Sequence, residues 1–291
     1  TMDINDYGYS NNIKTGEPDY VFNFLDKQYS SAIRFGAMHN WTFKFNPSFT
    51  LELKNLFNQL SNAQYVDRTG IDNGANWNIR SFDQVYRGIY TGQILGKHEW
   101  NNSNTKLDWV VGYNSSFRDQ PDYKRFRYNI DGTSAQLLVP IGSAQTFNLG
   151  RTNILMNENA KTAAMNFSHK FLWEKNADGE FDKELELKAG LYYETKARDF
   201  KARNLGYVQS NSALFNIGNL PIDQIFSDAN INMTNGVKID EQTNANDSYT
   251  ATNNLMAFYA SANFALAKKL NLVAGVRAEN NSQKLDSYDL V

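Results

Sequence analysis

The sequence has no cysteine and few histidines, and these shortages exclude several kinds of site. Without cysteine, neither a disulfide scaffold nor a cysteine-ligated zinc site can form. The three histidines, His39, His98 and His169, are scattered singly, which does not fit a histidine-rich metal site. We therefore expect no bound metal and no cofactor.

Excess positive charge, long apolar runs and catalytic motifs are absent as well. The net charge of -2 gives no basic field, which argues against a nucleic-acid partner. No apolar run approaches the ~18–20 residues of a membrane-spanning helix. The phosphate-binding, zinc-protease and serine-hydrolase motifs are all missing, so we predict no enzymatic activity and no catalytic residue.

Aromatic residues are abundant in a chain that is otherwise polar. They make up 14% of the residues, while all hydrophobic residues together reach only 41%. A disordered chain would carry far fewer aromatics. This composition is typical of strands with one apolar face and one wet face.

Apolar and polar residues alternate with period two along eight segments, which predicts β-strands. From Ile33 to Phe45 every second residue is mostly apolar or aromatic, and the pattern restarts at Phe49 after Asn-Pro-Ser, a tight-turn signal. A helix is excluded because apolar residues at every second position would circle it. The segments form four predicted hairpins: 33–45 with 49–53, 86–94 with 107–113, 163–173 with 185–193, and 256–266 with 270–278. Residues 4–9 and 19–25 are candidates for one more pair.

The predicted connections alternate between short and long. Within a hairpin the turn takes about three to seven residues, whereas the links between hairpins span about 60–76, 116–158 and 208–249. Most of the alternating segments run about 9–13 residues, close to the ~9–11 that a tilted strand needs to cross a bilayer. Short turns at one end and long external loops at the other are the signature of a transmembrane β-barrel. The sequence thus predicts an all-β, antiparallel barrel wall over residues 1–291 as a single segment.

Aromatic residues cluster beside the predicted short turns. Such rings collect at membrane boundaries, where they can sit half in water, whereas a soluble core would spread them more evenly. The predicted membrane belt consists of Trp41, Phe43, Phe45, Phe49, Trp100, Trp109, Phe171 and Trp173. Outer-membrane lipid is therefore an expected partner.

Two segments combine arginines with aromatic rings at predicted strand tips. Such combinations can grip anionic or aromatic ligands by stacking and charge-assisted hydrogen bonds. The candidate ligand-binding residues are Arg118, Tyr123, Arg125, Arg127, Tyr128, Arg198, Arg203 and Tyr207. The alternative, which we prefer, is that these charges pair with neighbouring strands. Glu184 and Glu186 lie about 7 Å apart on one strand face, a spacing that overlaps that of inverting glycosidases, but we interpret them as lumen lining.

Several segments resemble the barrel of TonB-dependent outer-membrane receptors, particularly the large receptors of the Bacteroidota. Residues 53–61, LKNLFNQLS, are similar to a barrel strand, and residues 38–59 look like one of the family's hairpins. FRDQPDYKRFRY (117–128) and YYETKARDFKARNLGY (192–207) resemble strand tips that enter external loops. Residues 254–285 look like a further barrel hairpin.

This resemblance implies a large antiparallel barrel, usually of about 22 strands, in the bacterial cell outer membrane. It also implies active import of a scarce nutrient, driven by the inner-membrane TonB complex, with a surface lipoprotein lid as a further partner. The substrate would be a small molecule, an oligosaccharide or a peptide. The sequence departs from the family in having no plug, no TonB box and no terminal aromatic strand, so we interpret it as an internal barrel segment.

Other functions remain open at this point. A secreted or surface all-β adhesin or glycan-binding module would bury the same apolar face in its own core. A passive porin, or an outer-membrane enzyme, would share the barrel but not the energy-driven import.

Overall fold

The computed structural model is a single antiparallel sheet of eleven strands. It describes residues 1–11, 13–100, 102, 104–175, 181–210, 216–267 and 270–288; for residues 173–175, 181–183 and 266–267 it describes the backbone alone. The strands are β1 (Met2–Asn11), β2 (Pro18–Asn46), β3 (Phe49–Asp72), β4 (Ala75–Trp100), β5 (Thr105–Asp131), β6 (Ser134–Leu137), β7 (Leu149–Lys175), β8 (Phe181–Gln209), β9 (Val237–Glu241), β10 (Tyr249–Ala267) and β11 (Leu270–Ser287).

Nine of these strands form a meander in which each strand pairs with the next along the path β1-β2-β3-β4-β5-β7-β8-β10-β11. The short strands β6 and β9 pair with β5 and β8 at one end of the sheet. The predicted all-β, antiparallel class is confirmed. Among the described residues no ladder joins β1 to β11, so the sheet is open.

The strands are much longer than the alternating pattern predicted. The central ones, β2 to β5, β7 and β8, run 24 to 29 residues, against about 9–13 expected. Beyond the alternating segments both faces carry polar side chains, so the periodic signal fades while the backbone ladder continues. Residues 4–9 and 19–25 do pair, as part of β1 and β2.

Two of the three predicted long loops are therefore mostly strand. Within 60–76, β3 runs to Asp72 and β4 begins at Ala75, so the connection is only Asn73-Gly74. Both residues have positive φ, 49° and 79°, as a type I′ hairpin turn requires. Within 116–158, β5 continues to Asp131 and β7 begins at Leu149, with β6 and residues 138–148 between them.

The third predicted loop, 208–249, is a long connection in the structure too. Its described part holds the short helix α1 (Ile222–Ile225), two single 3₁₀ turns and β9. Across the sheet, at the other end, the turn at Pro47 is closed by the Ser48 backbone N–H, which donates to Asn46 Oδ1 at 2.8 Å. The predicted turns at 101–104, 176–179 and 267–269 lie partly or wholly outside the described residues.

Within the described residues, one cluster of buried apolar side chains lies where the long connections fold over the ends of β5, β7 and β8. This cluster consists of Leu137, Val139, Leu149, Ile217, Ile225 and Val237. The rest of the sheet is a single layer, and the chain exposes 18858 Å², whereas a compact monomer of this mass exposes about 12,600 Å². The helices in the described part of the chain are not long and apolar enough to cross a membrane.

Candidate functional site

The two faces of the sheet differ in chemistry, and the strand register shows how each is built. We call the side that carries Trp41 the apolar face and the side that carries Glu52 the polar face. Cross-strand pairing places matching residues in rows, and one row of the apolar face reads Trp41, Leu53, Ile94, Val111, Ala163, Tyr193 and Met256. Between this row and the turn at Pro47, the described residues of the apolar face include no Lys, Arg, Asp or Glu. On this face, each strand of the zone carries a charge-free apolar stretch that includes or adjoins it, such as Ile33–Phe45 on β2, Leu185–Tyr193 on β8 and Leu270–Ala278 on β11, and we call these stretches together the apolar band.

The apolar band does not follow one row of hydrogen-bonded partners but shifts steadily across the sheet. On β2 it is centred near His39, while on β11 it is centred near Gly275, which lies several rows closer to the short turns. The shift is about one residue per strand, roughly 3.3 Å along a strand for every ~4.8 Å between strands. A level band on these strands therefore requires them to be tilted by about 35°.

The predicted aromatic belt forms a continuous set of ring contacts at the short-turn end of this band. Trp41, Phe43, Phe45 and Phe49 follow one another with ring centroids 5.2–6.4 Å apart. The ring of His98 continues the set: it lies 4.4 Å from that of Phe49 and 5.6 Å from that of Trp100, and its Nε2 accepts from Trp109 at 3.3 Å.

The remaining two belt residues lie on β7. Phe171 packs edge-on against His169 at 4.4 Å. Trp173 is in the same strand, but its side chain lies outside the described part of the structure. The structure therefore brings the described belt residues to the same end of the sheet, with two histidines joining them.

Near the short turns, the polar face carries charges in ion pairs. Lys97 Nζ lies 2.7 Å from Glu52 Oε1, and Lys54 binds the second oxygen of the same carboxylate at 2.9 Å. Glu184 and Glu186 pair with Lys170 at 2.7 Å and with Lys188 at 3.0 Å. These pairings account for both carboxylates by neutralisation rather than by a catalytic arrangement.

Several predicted strand-tip arginines are also paired within the chain. Arg198 Nε donates to Glu158 at 2.8 Å, and Arg203 forms a two-pronged pair with Glu241 at 2.8 and 2.9 Å. The Arg203 guanidinium lowers the pKa of Glu241 to about 2. These contacts fit the preferred interpretation that the tip charges bind neighbouring strands.

The eight candidate ligand residues do not form one site, because the sheet divides them between its faces. A one-residue bulge in β5 between Gln120 and Tyr123 reverses the alternation there. Tyr128 consequently packs against the buried cluster. Tyr207 lies on β8, where no bulge interrupts the pairing with β7, and packs against the same cluster, with its ring centroid 5.1 Å from that of Phe226. By their register, Arg118, Tyr123, Arg125, Arg127 and Arg198 belong to the polar face, whereas Tyr128, Arg203 and Tyr207 belong to the apolar face.

The polar-face arginines of β5 form a column with unfilled hydrogen-bonding capacity. Arg127 donates to Asp72 at 2.9 Å and its guanidinium lies 3.8 Å from the ring centre of Trp77. Arg118 donates to Gln120 at 2.9 Å. The Nε atoms of Arg118, Arg125 and Arg127 are nevertheless buried without a partner. Unpaired buried donors of this kind call for a physical explanation.

Register adds two arginines that sequence reasoning did not single out. Arg34 pairs across β3, through Leu60, with Arg87, and Arg87 lies directly opposite Arg118. We call these three the arginine row. Within the described residues, no carboxylate lies within ion-pair distance of any of the three. Their alignment depends on cross-strand pairing, which no local sequence signal reveals.

The described residues contain no candidate metal centre, and known proteins provide no match that would assign a function. Searching the described residues finds no group of three or more His, Asp or Glu that could hold a metal ion. No protein-family model, curated protein or solved structure matches the chain.

Proposed function

We propose that this chain forms part of the wall of a β-barrel in a bacterial outer membrane, and that the barrel is a TonB-dependent receptor for a scarce nutrient. The observation that carries the membrane part is the charge-free apolar band. A soluble sheet would need a second layer over that face, and the described residues supply none.

The dimensions of the band support a lipid environment. Leu185–Tyr193 is the stretch of β8 in the band, and at a 35° tilt it rises about 22 Å. The apolar zone of an outer-membrane barrel is about 25 Å tall. The required tilt also falls at the lower end of the ~35–45° seen in such barrels. A hydrocarbon layer would therefore cover the band, with the aromatic belt at one of its boundaries.

The open edges of the sheet support a larger barrel. β1 pairs only with residues 18–28 of β2, so residues 29–46 of β2 have one free backbone edge in the described structure. In lipid each unpaired backbone group costs several kcal/mol, so a spanning sheet must close. Further strands would have to pair with β2 and β11, and the segments that resemble large receptors suggest a total of about 22.

The transport part rests on the polar face and on the family resemblance. In a closed barrel this face would line the lumen, where its charges would meet solute rather than lipid. The TonB complex would act through parts of the receptor beyond these strands, and a surface lipoprotein could cover the mouth. Small molecules, oligosaccharides and peptides are all compatible with this general proposal.

Extraction tests the proposed membrane barrel, and uptake tests the proposed energy-driven transport. The full-length protein should remain in the membrane fraction until detergent is added, because the apolar band needs a hydrocarbon environment. Release without detergent would contradict the barrel and favour the secreted adhesin. Uptake that stops when the proton gradient is collapsed supports the receptor, whereas uptake that survives would identify a passive porin.

A further inference from the structure

We propose that the arginine row, Arg34, Arg87 and Arg118, binds the oxyanion groups of a multiply charged solute, such as carboxylates or phosphates. This inference rests on the proposed function, because it assigns a substrate class to the lumen of the barrel. It also names a site that differs from the strand tips considered above.

Two of the three arginines place like charges directly opposite each other. Arg87 and Arg118 are cross-strand partners, and both side chains lie on the polar face. Like charges placed directly opposite each other destabilise a sheet. A bound anion between them would turn this repulsion into attraction.

The arginine row differs in its ion pairing from the rest of the polar face. Closer to the short turns, most cations of this face have carboxylate partners, as in Lys97 with Glu52 and Arg277 with Glu279, and Lys44 is an exception within the described part of the chain. Nearby acids are already engaged: Glu158 binds Arg198, and Asp83 accepts from Gln120 at 2.6 Å. The row is thus a place where this face holds positive charge without compensation from the described residues.

The donors of the arginine row suit an oxyanion in both chemistry and placement. A guanidinium offers a planar fork that matches a carboxylate or a phosphate, and the Nε of Arg118 is buried with no partner. The three arginines span three strand spacings, about 14 Å, so one solute with several charges can contact more than one of them. Arg125 and Arg127 continue the same face toward the strand ends, which gives an anion a basic route to the row.

Anion titration of the full-length protein in detergent tests the proposal. The probes are citrate and tripolyphosphate, with sodium chloride at equal ionic strength as the reference, and binding is measured by calorimetry. The Arg87→Gln/Arg118→Gln variant should bind at least about tenfold more weakly, because both forks are lost. The anion affinity of Arg118→Lys should lie between those of the wild type and the double variant, because lysine keeps the positive charge but lacks the planar fork of a guanidinium.

The matched control is Arg80→Gln/Arg151→Gln, which removes two positive charges from the apolar face instead. It should bind like the wild type, whereas equal loss in both double variants would mean unspecific charge attraction and overturn the proposal. Absence of citrate and tripolyphosphate binding in the wild type would overturn it as well.

A second measurement separates a ligand site from a structural one. Without anion, Arg87→Gln should raise the melting temperature, because it removes like-charge repulsion; a fall would mean that Arg87 is structural and would contradict the proposal. Failure of the barrel itself would instead appear as release without detergent, with anion binding unaffected.

Discussion

At the scale of single residues, a glycine makes room for the tryptophan at the centre of the aromatic belt. Gly96 lies opposite Trp109 on the apolar face, and a Cβ at Gly96 would approach the indole ring to 2.2 Å. The ring can therefore lie flat over the strand and reach His98. Aromatic side chains that cover a cross-strand glycine are a recurrent device of β-sheets.

Substituting this glycine should loosen the belt. Gly96→Ala would push the indole away and destabilise the fold by about 1–3 kcal/mol, the usual cost of overpacking. Thermal unfolding in detergent would measure the effect. Gly36→Ala is the control, since its nearest neighbour is a backbone oxygen 3.9 Å away; equal effects of the two variants would contradict this account.

A pH effect is expected where β9 joins β8. Ion pairing with Arg203 lowers the pKa of Glu241 to about 2, from an ordinary 4.5. The pair therefore stabilises the contact fully above about pH 4.5, the unfolded value, and this contribution is lost as the pH falls towards 2. Hydrogen exchange of the β9 amides, corrected for intrinsic rates, should show protection falling through this window.

Two variants make the pH prediction specific. Glu241→Gln should already have weaker protection at neutral pH and should lose this pH dependence. Lys238→Gln, on the same strand, should behave like the wild type. An unchanged pH profile in Glu241→Gln would show that another group controls the docking of β9.

At the scale of elements, neighbouring residues of one strand test which face meets lipid. Val111 lies in the apolar band and Val110 on the polar face of β5. Val111→Arg should reduce membrane assembly, since an arginine near the bilayer midplane costs about 2–4 kcal/mol. Val110→Arg should have much less effect, because it faces the lumen in the proposed barrel.

The readout is the folded, membrane-inserted fraction, measured by heat-modifiable electrophoretic mobility. The two variants introduce the same side chain at adjacent positions, so strand propensity and chain charge cancel in the comparison. A larger effect for Val110→Arg would mean that the polar face is the covered one.

The elements also show what sequence reasoning could reach. Strict alternation identified the hairpins around Trp41 and Phe258, because one face of each strand is consistently apolar. The prediction placed Asn73 and Gly74 inside the long loop 60–76, although Asn-Gly is a strong signal for a hairpin turn. The β5 bulge after Gln120 was also missed, since an extra residue leaves no periodic mark among polar side chains.

At the scale of the whole molecule, the prediction concerns the orientation of the sheet. If the apolar band is level in a bilayer, the strands should tilt by about 35–45° from the membrane normal. Polarised infrared spectroscopy on oriented membranes measures this angle from the amide bands. Strands lying flat on the membrane surface would contradict a spanning barrel.

The global arrangement was only partly accessible from sequence. An antiparallel all-β class followed from alternation, and the single-layer sheet agrees with strands that have one apolar face. The arginine row was not foreseen, because Arg34 and Arg87 are distant in sequence and meet only through the register of β3 with its neighbours. Cross-strand alignment is a long-range property that a one-dimensional pattern does not contain.

The height of the strands has a consequence for whatever approaches the cell. A strand of 27 residues, such as β5 or β7, rises about 70 Å at the inferred tilt. Only about 25 Å of this is needed to cross the hydrocarbon. Under the proposed orientation, the remaining length, about 45 Å, lies outside the hydrocarbon and exceeds the width of a small domain. Phages, antibodies and nutrients would then touch the rim of the barrel well before they reached the bilayer.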